Sequence, residues 1–258
     1  MISTAAVDAE TCPYWRLAAT RGNQHSQEIT NALIMKRIAA GLGASRGRIN
    51  ATCNGPVHSR LAFAAVRKID PPVPAEFCVL FTGYVGDRVA GTVSFVRDGN
   101  VRVVIDPGMV PEAAAILGPL GEVVDSPEEI TDVIFSHHHP DHTLNAALFP
   151  KARFHDYWAI YQGDVWKGRP AEGFALSPSI RLIETPGHTP QDITTLVSTS
   201  GGTVAFTHLW WRATGPAEDP LASDPSALHR NRARVLEIAQ LIVPGHGAAF
   251  KPSAETPR

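Results

Sequence analysis

Cysteine is scarce in this 258-residue chain, and what little there is falls in no useful pattern. Only Cys12, Cys53 and Cys78 occur, odd in number, far apart and without a CxxC pair. That argues against a disulfide framework and a thiolate metal site, and makes a reducing cytoplasm the expected setting. An excess of either charge is also missing, since 23 Lys and Arg stand against 25 Asp and Glu for a net −2. No global positive field draws such a chain to nucleic acid or to an anionic membrane, although a local basic patch remains open. No apolar run approaches the about 18 residues of a membrane span. Met1 to Glu10 has no basic start and carries acids where an apolar stretch would run, so a secreted enzyme is not expected.

The length fits one catalytic domain with an extension. Residues 1–75 carry no legible chemistry. Gln27 to Gly41 has partial helical spacing, Arg46 to Val57 is polar and turn-rich, and Asp70-Pro71-Pro72-Val73-Pro74 reads as a stiff linker because proline fixes φ. His25 and His58 read as ordinary surface histidines. Over residues 76–258 strands and helices alternate. Phe77 to Tyr84, Thr92 to Val96 and Val101 to Ile105 read as strands, the last two joined by the hairpin signal Asp98-Gly99-Asn100. Further strands are expected at Asp132 to Phe135, Ser179 to Glu184, Thr194 to Ser198, Thr203 to Thr207 and Leu241 to Val243. Helices are expected at Pro111 to Leu117, from Ser126-Pro127-Glu128-Glu129, at Leu144 to Leu148, and from Asp224-Pro225 to about Gln240.

The densest chemistry follows Asp132 to Phe135. Within Ser136-His137-His138-His139-Pro140-Asp141-His142, four donors at the spacing His-x-His-x-Asp-His, of types that suit first-row metal ions, fall within six residues. On an extended chain His137 and His139 share one side, because side chains alternate with period two. Any one of these histidines also reads as part of a solvated polar turn. The full spacing, with a strand before it and a helix start after it, points to a metal site.

His137-x-His139-x-Asp141-His142 resembles the HxHxDH motif of the metallo-β-lactamase superfamily. Thr185-Pro186-Gly187-His188-Thr189-Pro190 and Val243-Pro244-Gly245-His246-Gly247 resemble, in order, that family's TPGHT and PGHG turns. The resemblance implies an α/β fold of the αββα sandwich type over residues 76–258, with ligands on loops at one sheet edge. It implies one ion at His137, His139 and His188 and a second at Asp141, His142 and His246. The expected ion is Zn²⁺, with Fe or Mn as alternatives. Asp106-Pro107-Gly108 resembles the family's Asp-x-Gly turn, in which the aspartate braces the ligand loops; a turn aspartate bonding its own backbone is the plainer alternative. Within the superfamily, Leu148-Phe149-Pro150, Arg234-Val235-Leu236 and Ile242 to Phe250 resemble a compact branch described as ribonuclease.

One position departs from the family. Where hydrolytic members carry a bridging aspartate, Ala205-Phe206-Thr207-His208-Leu209-Trp210-Trp211 places His208. A neutral imidazole offers a single lone pair to one ion, so the bridge is absent. His208 is expected to point into the site and bind one ion or hydrogen-bond its water; a strand-end histidine facing solvent or Trp210 is the alternative.

The resemblance implies a metal-dependent hydrolase that turns a metal-bound hydroxide on a small ester, thioester or lactone, with Asp141 as ligand, orienter and proton carrier. Three other readings stay open: a phosphodiesterase or ribonuclease using Arg230, Arg232 and Arg234, a mononuclear iron oxidoreductase acting on sulfur compounds, and a non-catalytic metal-binding module. Trp158, Trp166, Trp210 and Trp211 read as core or edge packing before cleft walls. The expected partner is a small molecule, with no membrane; the sequence does not set the oligomeric state. Because the motifs are confined to the later segment, a chain started near Pro74 is expected to fold and keep its metal. An insoluble or metal-free product, beside a soluble metal-bearing full chain, would place the extension in the core.

Overall fold

The computed structural model describes residues 74–258. The readings for Gln27 to Gly41, Arg46 to Val57, His25, His58 and the linker up to Val73 lie outside the described residues.

Strands β1 (Glu76–Phe81), β2 (Val93–Asp98) and β3 (Val101–Ile105) form an antiparallel run. Asp98 pairs with Val101, so Gly99 and Asn100 make the two-residue turn, with Gly99 at φ 58° as such a turn demands. β4 (Asp132–Ile134) and β5 (Arg153–His155) then add in parallel, and β6 (Ala159–Gln162) and β7 (Val165–Gly168) extend the sheet antiparallel to seven strands in sequence order. The second sheet has the order β11-β10-β9-β8, built from β8 (Ile180–Glu184), β9 (Ile193–Thr199), β10 (Gly202–Thr207) and β11 (Leu241–Pro244). Between β10 and β11, which run parallel, the chain crosses through a helix, as a parallel pair requires.

Alternation along the strands separates three apolar layers. Val103, Ile105 and Ile134 of the first sheet pack against Ile180, Leu182, Ile193, Val204 and Phe206 of the second. Val104 and Val133 face the other way, onto Ile116 and Leu120 of helix α1 (Ala114–Leu120). On the far side Ile183, Ala205 and Ile242 pack under Leu228 and Val235 of helix α3 (Pro225–Ile238). Both faces of both sheets are covered, which is the αββα sandwich.

Several elements differ from the sequence reading. Helix α1 begins at Ala114 rather than Pro111, with no side-chain cap, and the segment opened by Ser126 is only a 3₁₀ turn, Pro127–Glu129. Its capping box is complete, but Ile130 is already extended and leads into β4. The expected Leu144 to Leu148 helix is replaced by helix α2 (Pro140–Thr143) and a 3₁₀ turn, Ala146–Leu148. Between them Asn145 is pulled aside, its backbone N–H donating to the Pro107 carbonyl (2.8 Å) and its side chain to that of Gly108. Strands β5, β6 and β7 had no reading at all.

On α3, Asp224 caps the first turn by accepting from the Ala227 N–H (2.9 Å), with Pro225 behind it. Neither a phosphate-binding role nor a solvated face fits Arg232, which is fully buried. It donates to the carbonyls of Leu209 (2.8 Å), Ala217 (2.6 Å) and Pro216 (3.0 Å). Arg234 is held by Glu172 (2.6 Å) and the Glu184 carbonyl (3.1 Å). Arg232→Met should leave three carbonyls without their donor and cost about 2–4 kcal/mol. Urea unfolding of the metal-free chain measures this, and an unchanged midpoint would show that the clamp adds nothing.

Candidate metal centre

Every ligand candidate sits just past the end of a strand on the same edge of the sandwich. His137 and His139 follow β4 in extended backbone and face inward together, while His138 between them points away, 39% exposed beside Asp156 and Trp158. Pro140 at the first position of α2 turns the chain, so that Asp141 and His142 come back toward the same space. His188 follows β8, His208 follows β10 and His246 follows β11. All of them except the partly exposed His139 are buried.

Their donor atoms converge. His139 Nδ1 lies 3.0 Å from His137 Nε2 and 3.1 Å from His188 Nε2. Oδ2 of Asp141 lies 3.4 Å from His142 Nε2 and 3.5 Å from His246 Nε2. His137, His142 and His208 form a third close group. Each of these groups could hold a metal ion. A tetrahedral ion with bonds of about 2.0–2.1 Å sets its ligand atoms about 3.3 Å apart, and the observed spacings bracket that value. The Nε2 of His142 is buried and makes no well-formed hydrogen bond within the protein, its carboxylate neighbour Asp141 lying at 3.4 Å. The residues present therefore fit a first-row ion.

The outward nitrogens are fixed by hydrogen bonds that leave the inward ones with their lone pairs. His142 Nδ1 donates to Asp106 Oδ2 (2.9 Å), His188 Nδ1 to Asp219 Oδ2 (2.8 Å), and His246 Nδ1 to the Ala90 carbonyl (3.0 Å). His137 Nδ1 donates to Ser136 Oγ (3.0 Å), whose own hydroxyl donates to Asp106 Oδ2 (2.6 Å). Asp106 thus bonds across to Ser136 and His142 rather than only to its own turn.

Electrostatics agree with a set of neutral imidazoles. Burial, helped by the neighbouring histidines, holds His137 and His208 well below the ordinary range, and brings His139 and His246 down to about 4. His142 is the exception: burial would lower it, but the carboxylates of Asp106 and Asp141 outweigh that and raise it to about 10. Burial works against ionised Asp141, yet His142 and His246 keep its carboxyl below the usual range.

All seven sequence-derived donors are brought together, and two partners had no reading. Asp219 also accepts from Trp211 Nε1 (3.1 Å), and only its position in a Pro-rich loop distinguished it from any surface aspartate. The Ala90 carbonyl, being backbone, left no trace in the side-chain pattern. Of the tryptophans, Trp210 is core, Trp158 and Trp166 are exposed, and Trp211 lies beside His246 with ring centroids 6.3 Å apart.

The fold and these loops have counterparts in known proteins. The family model for the metallo-beta-lactamase superfamily matches residues 86–218. The chain is 30% identical to metallo-beta-lactamase domain-containing protein 1 of Xenopus laevis over 195 residues, covering 70% of this chain and 83% of that protein. It spans 62% of the Mus musculus protein of that name and 59% of the Homo sapiens one. A Thermotoga maritima structure described as a metallo-beta-lactamase superposes with TM-score 0.56 at 23% identity, over 69% of this chain and all of that one, its coverage being 100%. AiiA of B. thuringiensis, solved with N-decanoyl-L-homoserine at its active site, superposes with TM-score 0.52 at 16% identity, over 68% and 93%. With the ordered ligand loops on an αββα sandwich and a family match over more than half its length, the chain belongs to the metallo-β-lactamase superfamily.

Proposed function

We propose that this chain is a Zn²⁺-dependent hydrolase of a small ester, thioester or lactone. The observation that carries the reading is the group of His137, His139 and His188, three imidazoles close enough to hold one ion, beside the Asp141 carboxyl held below its usual range. Zn²⁺ held by these three imidazoles would lower the pKa of a water toward about 7 and polarise a carbonyl oxygen. The chain's own residues do the rest. Asp141 accepts a proton from the attacking water and returns it to the leaving oxygen or sulfur. Asp106, through His142 and through Ser136 to His137, keeps the imidazoles aimed.

A carbonyl substrate with an apolar part suits the exposed Leu144 and Leu221, which lie two residues past His142 and Asp219 in the chain. Phosphodiester substrates find less support, because Arg232 and Arg234 are already committed to carbonyls and Glu172. The N-decanoyl-L-homoserine bound by AiiA lies on a related fold and is compatible with this class.

The test is a panel of p-nitrophenyl esters, acyl thioesters, N-acyl homoserine lactones and bis-p-nitrophenyl phosphate. Turnover of carbonyl substrates is expected, with Asp141→Asn lowering kcat by about 10²–10⁴-fold and His139→Ala losing metal on elemental analysis. Turnover of the phosphodiester alone, or full metal content in the His139 variant, would sink the reading. A proton balance offers an independent check. Since His142 is held up at about 10, it carries a proton at pH 7 that an ion must displace. Zinc added to metal-free chain in weak buffer should release that proton, and affinity should rise with pH up to about 10. Zinc uptake with no proton release would show that His142 is not a ligand.

A further inference from the structure

Trp210 and Trp211 are neighbours in the chain but lie in opposite surroundings. Trp210 is fully buried in the layer under α3, and its Nε1 donates to the Pro257 carbonyl (2.8 Å). Trp211 belongs to none of the three apolar layers and keeps part of its surface exposed. The ligand loops set its place instead. Its carbonyl accepts from the His246 N–H (2.8 Å), and that of Trp210 from the Gly245 N–H (3.0 Å), so the segment lies along the His246 turn. The indole Nε1 donates to Asp219 Oδ2 (3.1 Å), the oxygen that also takes the His188 Nδ1 proton (2.8 Å). Asp219 is buried and its Oδ1 accepts from the Leu221 N–H (2.9 Å), so the indole hangs from a carboxylate held at both oxygens. The ring then stands across from that of His246, with centroids 6.3 Å apart and planes at 79°.

We propose that Trp211 is a substrate-contacting wall of the centre, which makes the chain prefer carbonyl compounds with a long apolar acyl chain. The N–H is the one polar group of an indole, and here it is taken by Asp219, so what the ring shows to the solvent is apolar. Through Asp219 the ring is tied to the His188 turn, and through its backbone to the His246 turn. A carbonyl substrate at this centre brings the carbons attached to its carbonyl alongside the indole. Each methylene buried there adds about fourfold to affinity, whereas a short or charged acyl group gains nothing from the contact.

The inference takes its substrate class from the hydrolase reading, and the experiment separates the two. Zinc-loaded full-length chain is given p-nitrophenyl acetate, butyrate and octanoate. Separately it is given the carboxylates acetate, butyrate and octanoate, with binding followed by calorimetry and by tryptophan fluorescence. In wild type both kcat/KM and carboxylate affinity should climb with chain length, by about two- to fourfold per methylene. Trp211→Phe, which keeps a ring but loses the N–H, should keep most of that slope. Trp211→Ala should cut the preference for octanoyl over acetyl by about tenfold or more. An equal loss at every chain length in Trp211→Ala would show that the indole acts only through Asp219 and overturn the inference, as would a flat wild-type series. Carboxylate binding needs no turnover. If no ester is hydrolysed while octanoate binding keeps a slope that depends on Trp211, the hydrolase reading fails and the wall stands. Where Trp211→Ala does not fold, wild type against Trp211→Phe decides. Octanoate should still bind the Phe variant by calorimetry without the change in tryptophan emission seen in wild type, and an unchanged emission response would place the acyl chain elsewhere.

Discussion

The carboxylate of Asp106 ties the two halves of the ligand loop to the strand that precedes them. Oδ1 accepts from the Ser136 N–H (2.6 Å), and Oδ2 from both Ser136 Oγ (2.6 Å) and His142 Nδ1 (2.9 Å). One side chain thereby positions His137, through the serine, and His142 directly. The residue stands at φ 52°, the one described non-glycine with positive φ, while its own N–H extends the β3–β4 ladder to the Ile134 carbonyl (2.9 Å). Two residues on, a Cβ at Gly108 would fall 1.7 Å from the Asp141 carbonyl oxygen, so only glycine lets the chain pass. That carbonyl accepts from Gly91 (3.0 Å) and Met109 (3.2 Å), which brings the loop before β2 and the loop after β3 against the ligand turn.

The other half of the centre hangs from α3. Gly187 lies so close to Leu228 that a Cβ would approach its Cα to 2.7 Å, which seats the His188 turn on the helix. Arg232, one turn further along, holds the carbonyls of Leu209, Pro216 and Ala217, and so fixes the segment running from His208 to Asp219. Asp219 in turn orients His188. A buried guanidinium on a helix remote in sequence therefore governs two of the ring orientations, by holding a loop rather than by charge near the ions.

The sequence was legible where period or spacing forces a structure. β1 to β3, β8 to β11 and α3 alternate or repeat cleanly and carry their own turn and cap signals, and the ligand motifs are local. Sequence reading failed where tertiary contacts choose. β5 has three residues and β7 is wholly exposed, so neither shows an apolar alternation. The Leu144 helix lost to the bonds Asn145 makes with Pro107 and Gly108, partners about forty positions away that no window contains. Arg232 read as one of three surface arginines because its acceptors are backbone carbonyls, which every sequence has in equal measure.

The composition of the centre carries a last consequence. Six imidazoles are packed together, and burial together with mutual repulsion keeps those of His137, His139, His208 and His246 neutral. These nitrogens face one another at 3.0–3.1 Å, a spacing that an ion between them would satisfy, and ion binding would couple metal uptake to the order of the ligand loops. With His208 in place of a carboxylate, the centre holds one negative charge fewer than a bridged one. An ion bound there would be less neutralised by its surroundings, and so would favour the oxyanion that develops as a carbonyl is attacked more than the neutral carbonyl before attack.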